Sequence, residues 1–147
     1  MRLEDLKALA SRALQSEGEE DLERVSQAIS QESDAEVLRE LGSEFYTDTQ
    51  ISFPAFRRAC QLLPSSVRAL TDLGTLLWAF GGDDEARVWL ERARQVDPHA
   101  IATLQLDATL ERDASRRRAL LLEILELDPE NESAKQNLSY PVKGPPR

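Results

Sequence analysis

The sequence predicts an all-α fold, namely an α-solenoid of about three to four helix–turn–helix repeats, and three observations lead to that prediction. Apolar residues recur at spacings of three and four along most of the chain, which is the period of an amphipathic helix. No segment alternates apolar and polar residues long enough to indicate a strand. Several residues recur 34 positions later, as Pro64 does at Pro98, and such a period is typical of stacked supersecondary units.

The apolar pattern predicts about nine helices of roughly 8–16 residues, joined by short turns. Pro54 is suited to the start of a helix, because its missing N–H would be unpaired there anyway. Residues 47–50 are expected to form the turn before it. Asp83 or Asp84, and later Ser115, are expected to act as N-caps. The apolar stripes cover residues 3–14, 22–29, 38–45, 56–63, 70–77, 86–96, 101–110, 120–127 and 134–138.

Residues 67–100 carry the clearest form of the repeat. Gly74 and Ala86 are small where two paired helices approach closely, and Pro98 ends one helix and begins the next. The pattern closely resembles the tetratricopeptide repeat (TPR), a helix–turn–helix unit of about 34 residues. The resemblance implies a right-handed solenoid. The residues that carry it are Leu70, Leu73, Gly74 and Leu77, then Ala86, Leu90 and Ala93, then Asp97 and Pro98.

The repeat divides the chain into predicted segments. Asp107 departs from the pattern, because it stands where the repeat prefers Leu. One repeat unit cannot bury its apolar face alone, so three or more are expected to stack. The segments are a degenerate or capping helix pair at 1–33, three TPR-like repeats at 34–66, 67–100 and 101–131, a C-terminal capping helix at 132–139, and a Pro-rich tail at 140–147.

Composition excludes several classes of function. The chain carries 18 basic and 27 acidic residues, a net charge of −9, whereas nucleic acids and anionic membranes are bound by clustered positive charge. One Cys and one His allow no disulfide framework, no Cys-rich zinc site and no pair of His ligands. No apolar run approaches the length of about 18 residues that spans a membrane. The N-terminus lacks the pattern of a secretory signal, so we expect a cytoplasmic protein.

No constellation of catalytic residues stands out in the sequence. His99 is the single imidazole and has no nucleophile motif beside it. Cys60 lies on an apolar helix face and is expected to be buried. Asp83, Asp84 and Glu85 lack the spacing of a calcium loop and suit the positive end of a helix dipole. We therefore expect no enzyme activity, no cofactor and no metal site.

The resemblance also implies a binding groove, because the first helix of each TPR pair lines a concave surface that holds a peptide. In each predicted first helix, the residues beside the core stripe share one face. Trp78 is expected either to line this groove or to pack against the neighbouring repeat. The predicted groove residues are Arg39, Ser43 and Tyr46 in the first repeat, Arg68, Thr71, Thr75 and Trp78 in the second, and Gln105, Thr109 and Arg112 in the third.

The predicted function is a non-enzymatic interaction or scaffold module that binds a protein or peptide partner, not nucleic acid or a membrane. Two alternatives stay open. The chain could be the TPR region of a larger enzyme or regulator, or a small acidic chaperone resembling the TPR chaperones of type III secretion. Residues 1–50 hold 13 acidic and five basic residues, densest from Glu17 to Glu23. That run is either a solvated helix start or a patch for a basic partner.

Overall fold

The structure, a computed structural model, describes residues 1–139, and this part of the chain is all-helical, with nine helices and no strand. The predicted all-α class is therefore confirmed. The predicted tail at 140–147 lies outside the described residues. Within residues 1–139, no helix combines the length and apolar character needed to cross a bilayer. The helices are α1 (Leu3–Ser16), α2 (Glu19–Gln31), α3 (Ala35–Glu44), α4 (Thr49–Leu62), α5 (Val67–Ala79), α6 (Asp83–Val96), α7 (Ile101–Leu110), α8 (Ala114–Leu127) and α9 (Glu132–Ser139).

Consecutive helices pack against each other in pairs: α1 with α2, α3 with α4, α5 with α6, and α7 with α8. Each pair is joined by only two to four residues, and connections of that length make the two helices run antiparallel. The chain divides into two compact units, the first from Met1 to Pro64 and the second beginning at Ser65. In the first unit α2 also contacts α4, and α1 contacts α3; in the second, α7 contacts α5 and α6, and α8 contacts α9.

The core of the first unit lies between its four helices. Leu6 of α1, Leu38 and Leu41 of α3, and Ile51 of α4 are all fully buried in it. Gly42 allows α3 and α4 to approach closely, because a Cβ at this position would lie 2.8 Å from the ring of Phe56. The prediction that small residues mark close helix pairs is confirmed here.

Three helices end in the same way before a proline. The residue preceding Pro64 donates its N–H to the carbonyl of Ala59 over 2.9 Å, and the residue preceding Pro98 donates to Ala93 over 2.9 Å. The residue before Pro129 makes the equivalent bond over 2.8 Å. Helical geometry is disfavoured for a residue that precedes proline, so each helix stops there.

The predicted start of helix α4 is wrong. Helix α4 begins at Thr49 instead of Pro54, because Ile51 and Ser52 donate their N–H groups to the carbonyl of Asp48 and begin the helix earlier. Pro54 therefore lies inside α4. The turn before α4 is residues 45–48, two residues earlier than the predicted turn at 47–50.

Two predicted N-caps also differ from the structure. The N-cap of α6 is Gly82, and Asp83, Asp84 and Glu85 form the first helical turn. In α8 the cap is Asp113, whose carboxylate accepts hydrogen bonds from the N–H groups of residues 115 and 116. In both cases the cap lies one or two residues earlier than predicted, because the preceding helix ends early enough to leave it free.

The second unit contains a close approach at Gly74 and an ion pair at Asp107. A Cβ on Gly74 would lie 2.6 Å from Cδ2 of Leu106 on α7, but 3.5 Å from Cβ of Trp89 on the paired helix α6. The tightest approach at Gly74 is therefore with α7, whereas the sequence predicts it with the paired helix. Asp107, which replaces the expected apolar residue, accepts a hydrogen bond of 2.7 Å from Arg94 of α6. The departure from the repeat pattern is thus accommodated by a charged partner on the adjacent helix.

The acidic run at the start of α2 lies at the helix N-terminus. Glu19, Glu20 and Asp21 occupy its first turn, where carboxylates are favoured by the helix dipole. Arg24, one turn later, lies 2.6 Å from the carboxylate of Glu20 and 3.7 Å from that of Asp21. This geometry favours the interpretation of the run as a solvated helix start.

Candidate functional site

A cleft of about 470 Å³ opens in the second unit, within the range of about 300–1,000 Å³ typical of preformed ligand sites. Helices α5, α7, α8 and α9 supply its walls and floor. Its lining mixes apolar, hydroxyl, amide and charged groups. The lining residues are Arg68, Thr71, Asp72, Thr75, Trp78, Ala102, Gln105, Leu106, Ala108, Thr109, Arg117, Leu121, Ile124, Ser133, Ala134 and Asn137.

The structure brings six of the predicted groove residues together in this cleft. Four come from one face of α5, since their spacings of three, four and three place them on adjacent turns. Two come from the corresponding face of α7, which packs against α5. The six are Arg68, Thr71, Thr75, Trp78, Gln105 and Thr109.

The floor of the cleft is apolar. Leu106 of α7 and Leu121 and Ile124 of α8 are almost completely buried beneath it. Trp78, at the end of α5, is half-buried and presents its indole at the wall. Such a surface can hold an apolar side chain of a ligand, because contact with it removes apolar area from water.

Hydroxyl groups on the wall are oriented by their own helices. Thr71 Oγ1 donates to the carbonyl of Arg68 over 3.2 Å, and Thr109 Oγ1 donates to the carbonyl of Gln105 over 2.8 Å. Since these protons are engaged, the oxygens remain as acceptors. The amide groups of Gln105 and Asn137 offer both donors and acceptors to a ligand.

The charged groups of the cleft are Arg68, Asp72 and Arg117. Arg68 is exposed at the rim, and no ion-pair or hydrogen-bond partner holds its guanidinium within residues 1–139. Arg117 donates from Nε and Nη2 to the carbonyl of Glu111, over 3.0 and 2.5 Å. Arg117 is therefore held in place by the end of α7, while Arg68 can turn toward a ligand.

Four predicted groove residues lie elsewhere. Arg112 follows the last residue of α7 instead of continuing its face, and its guanidinium lies 3.7 Å from the carboxylate of Asp83. The helical spacing that placed it in the groove fails because α7 ends at Leu110. Arg39, Ser43 and Tyr46 belong to the first unit, which contributes no residue to the cleft described above.

Those three residues of the first unit differ in their contacts and exposure. Arg39 donates to Glu36 on its own helix over 3.0 Å, and Ser43 is exposed. Tyr46 lies in the turn after α3 and not on that helix, with its ring edge-on to Phe56 at 6.3 Å between centroids. Helix α3 ends at Glu44, so Tyr46, two residues later, is not on the helical face where it was predicted.

Sequence reasoning missed the residues that α8 and α9 contribute. The sequence predicts Leu121 and Ile124 as part of a core stripe, and nothing in their spacing indicates that this core forms the floor of a cleft. Asn137 lies on the short last helix, which was expected only to cap the repeats. Asp72 is different, because it lies four residues after Arg68 and three before Thr75, so the helical period could have identified it.

The single His and the single Cys of the sequence are absent from the cleft lining. His99 Nδ1 lies 3.0 Å from Glu123, and the imidazole is exposed. Cys60 is buried, as predicted. Across residues 1–139, no three His, Cys, Asp or Glu side chains come together in a way that could hold a metal ion.

Compared with known proteins, the chain matches no family model and no curated sequence. A proposal for its function therefore depends on the geometry of the cleft and on the residues that line it.

Proposed function

We propose that this protein is a non-enzymatic interaction module whose cleft binds a peptide segment of a partner protein. One observation carries the proposal: six residues selected from the sequence as groove residues line a single cleft of about 470 Å³. An apolar floor beside hydroxyl and amide groups suits a polypeptide, which brings both apolar side chains and backbone donors and acceptors.

The proposal includes an arrangement of the helices, a right-handed α-solenoid of three to four TPR-like repeats. In such a fold the first helix of each pair lines the concave side. Two features support it in the second unit. Helices α5, α7 and α9 each follow a proline-terminated helix and each contribute to the cleft. None of the lining residues comes from α6, while α8, the second helix of its pair, contributes the apolar floor and Arg117.

The experiment that tests the proposal is selection of random peptides displayed on phage against the immobilised protein. Binding of the enriched peptides is then measured by the emission of Trp78 in a Trp89→Phe background, which leaves one tryptophan. We expect the enriched peptides to perturb this emission. They should also lose affinity for Trp78→Ala, which is measured by isothermal titration calorimetry because this variant lacks the reporting tryptophan.

A matched control is available in the same helix pair. Trp89 lies on α6, is half-buried like Trp78, and is absent from the cleft lining. Trp89→Ala should leave the affinity of the folded protein unchanged. Enriched peptides that bind wild type and Trp78→Ala equally would show that the cleft is not the binding site.

A further inference from the structure

The cleft has two different ends, which are marked by two residues of α5. Arg68 lies near the beginning of the helix and Trp78 near its end, and both line the cleft. Ten residues at a rise of 1.5 Å separate them by about 15 Å along the helix axis. One end therefore carries an exposed cation and the other a half-buried aromatic ring.

Helix α7, on the opposite wall of the cleft, runs in the same direction as α5. Helices α5 and α6 form a hairpin, and α6 reverses again into α7 through a four-residue connection, so α5 and α7 run in the same direction. Ala102 consequently lies on the Arg68 side and Thr109 on the Trp78 side of the cleft. The two walls are small or polar between the ends, which leaves room for a backbone.

We propose that the cleft selects an extended peptide segment with one acidic side chain and one large apolar side chain about four residues apart. The inference rests on the proposed function, since it specifies the peptide that the cleft binds. The acidic side chain pairs with Arg68, and the apolar one packs on Trp78. An extended chain covers about 3.3–3.6 Å per residue, so four to five residues span the distance of about 15 Å.

Charge complementarity supports an acidic group at the Arg68 end. This protein has a net charge of −9, yet the rim of the cleft carries a guanidinium that no residue in 1–139 holds in an ion pair. A charge-assisted hydrogen bond to a carboxylate is stronger than one between neutral groups. Arginine and tryptophan are also the side chains most often found to dominate binding energy at interfaces.

The test uses synthetic octapeptides with acetylated and amidated ends, so that no terminal charge contributes. Each contains one Asp and one Phe in a Ser-Gly background, in either order, placed adjacent or about four positions apart. Binding is followed by Trp78 emission in the Trp89→Phe background. We expect the peptides with a spacing of about four to bind at least about tenfold more tightly than the adjacent ones.

Charge exchange tests the contact with Arg68. Arg68→Glu should weaken binding of the best Asp peptide by about tenfold or more, and a peptide with Lys in place of Asp should then bind this variant better than it binds wild type. Arg118→Glu is the matched control, because Arg118 is exposed, lies outside the cleft lining and gives the same change in net charge. It should leave both affinities unchanged.

The outcomes separate the inference from the proposed function. If peptides perturb Trp78 but neither spacing nor Arg68→Glu matters, the cleft binds peptides and the two-ended recognition is wrong. Equal losses in Arg68→Glu and Arg118→Glu would also overturn it, because a general charge effect would explain both. If no peptide of this panel and none from random selection perturbs Trp78, the proposed function fails as well.

Discussion

Arg94 of α6 donates from Nη2 to Oδ2 of Asp107 on α7 across 2.7 Å. The side chain of Asp107 is only 15% exposed, so most of its carboxylate is removed from water at a position where the repeat pattern expects Leu. The hydrogen bond to Asp107 is the largest cause of a raised pKa at Arg94, with a second contribution from Glu91. The pair therefore joins two consecutive helix pairs of the second unit by charge instead of apolar contact.

Breaking this pair should destabilise the second unit. A double-mutant cycle with Arg94→Ala and Asp107→Ala should give a coupling free energy of about 1 kcal/mol, because the pair is partly shielded from water. Urea unfolding of the wild type, the two single variants and the double variant measures it. The exposed pair of Arg24 and Glu20, 2.6 Å apart, is the control and should give about 0.5 kcal/mol or less.

Gly74→Leu should lower the free energy of unfolding by about 1–3 kcal/mol through overpacking. A Cβ here already lies 2.6 Å from a methyl group of Leu106, a residue that is almost completely buried. Thermal melting followed by circular dichroism measures the loss. Gly18 is the control, because the nearest atom to a Cβ there is 3.4 Å away. Unchanged melting of Gly74→Leu would contradict the packing described for α5 and α7.

Lowering the pH should remove a stabilising contribution from Glu32. The N–H groups of Asp34 and Ser33 donate to its carboxylate, and these bonds lower the pKa of Glu32 from its ordinary value of 4.5. Because the folded-state pKa is the lower one, the charged carboxylate favours the folded state above pH 4.5. This stabilisation is lost as the pH falls through the folded-state pKa.

Urea titrations at several pH values below neutrality test that prediction. Glu32→Gln keeps an acceptor oxygen but removes the charge, so the stability advantage of the wild type over this variant should shrink as the solution is acidified. Glu126→Gln is the control, since Glu126 is exposed on α8. A difference that stays constant with pH would rule out the stabilising role of the Glu32 charge.

Trp78→Ala separates the two roles open to this residue. As a groove anchor, Trp78 should contribute at least about 2 kcal/mol to peptide binding, with a smaller effect on melting because its ring is only half-buried. As a packing residue, it should instead contribute about 3–5 kcal/mol to stability. Melting curves and peptide titrations of the same preparation measure both quantities. Lost stability with unimpaired binding by the folded fraction would remove Trp78 from the site.

Periodicity was enough to predict the helices, and small residues marked positions of close approach, although the helix that Gly74 meets most closely is α7 and not its paired helix. The apolar stripes identify the helical segments because burial of one face selects the 3.6-residue period wherever it recurs. Gly42 and Gly74 stand at positions that a side chain would obstruct. Helix ends before Pro64, Pro98 and Pro129 followed from the same local chemistry. Helix starts were harder to predict, as at Pro54. Several neighbouring residues can cap a helix, and the hydrogen bonds that form in the folded chain decide which one does.

The sequence by itself determined which face of α5 would be available to a ligand, because the spacing of Arg68, Thr71, Thr75 and Trp78 is a property of one helix. Only the tertiary structure decided what lies opposite that face. Leu121 and Ile124 form the floor and Asn137 part of the rim through the packing of α7, α8 and α9, which no local spacing encodes. Arg112 shows the same limit of local spacing. Because α7 ends at Leu110, Arg112 lies outside the cleft, and its guanidinium is 3.7 Å from the carboxylate of Asp83.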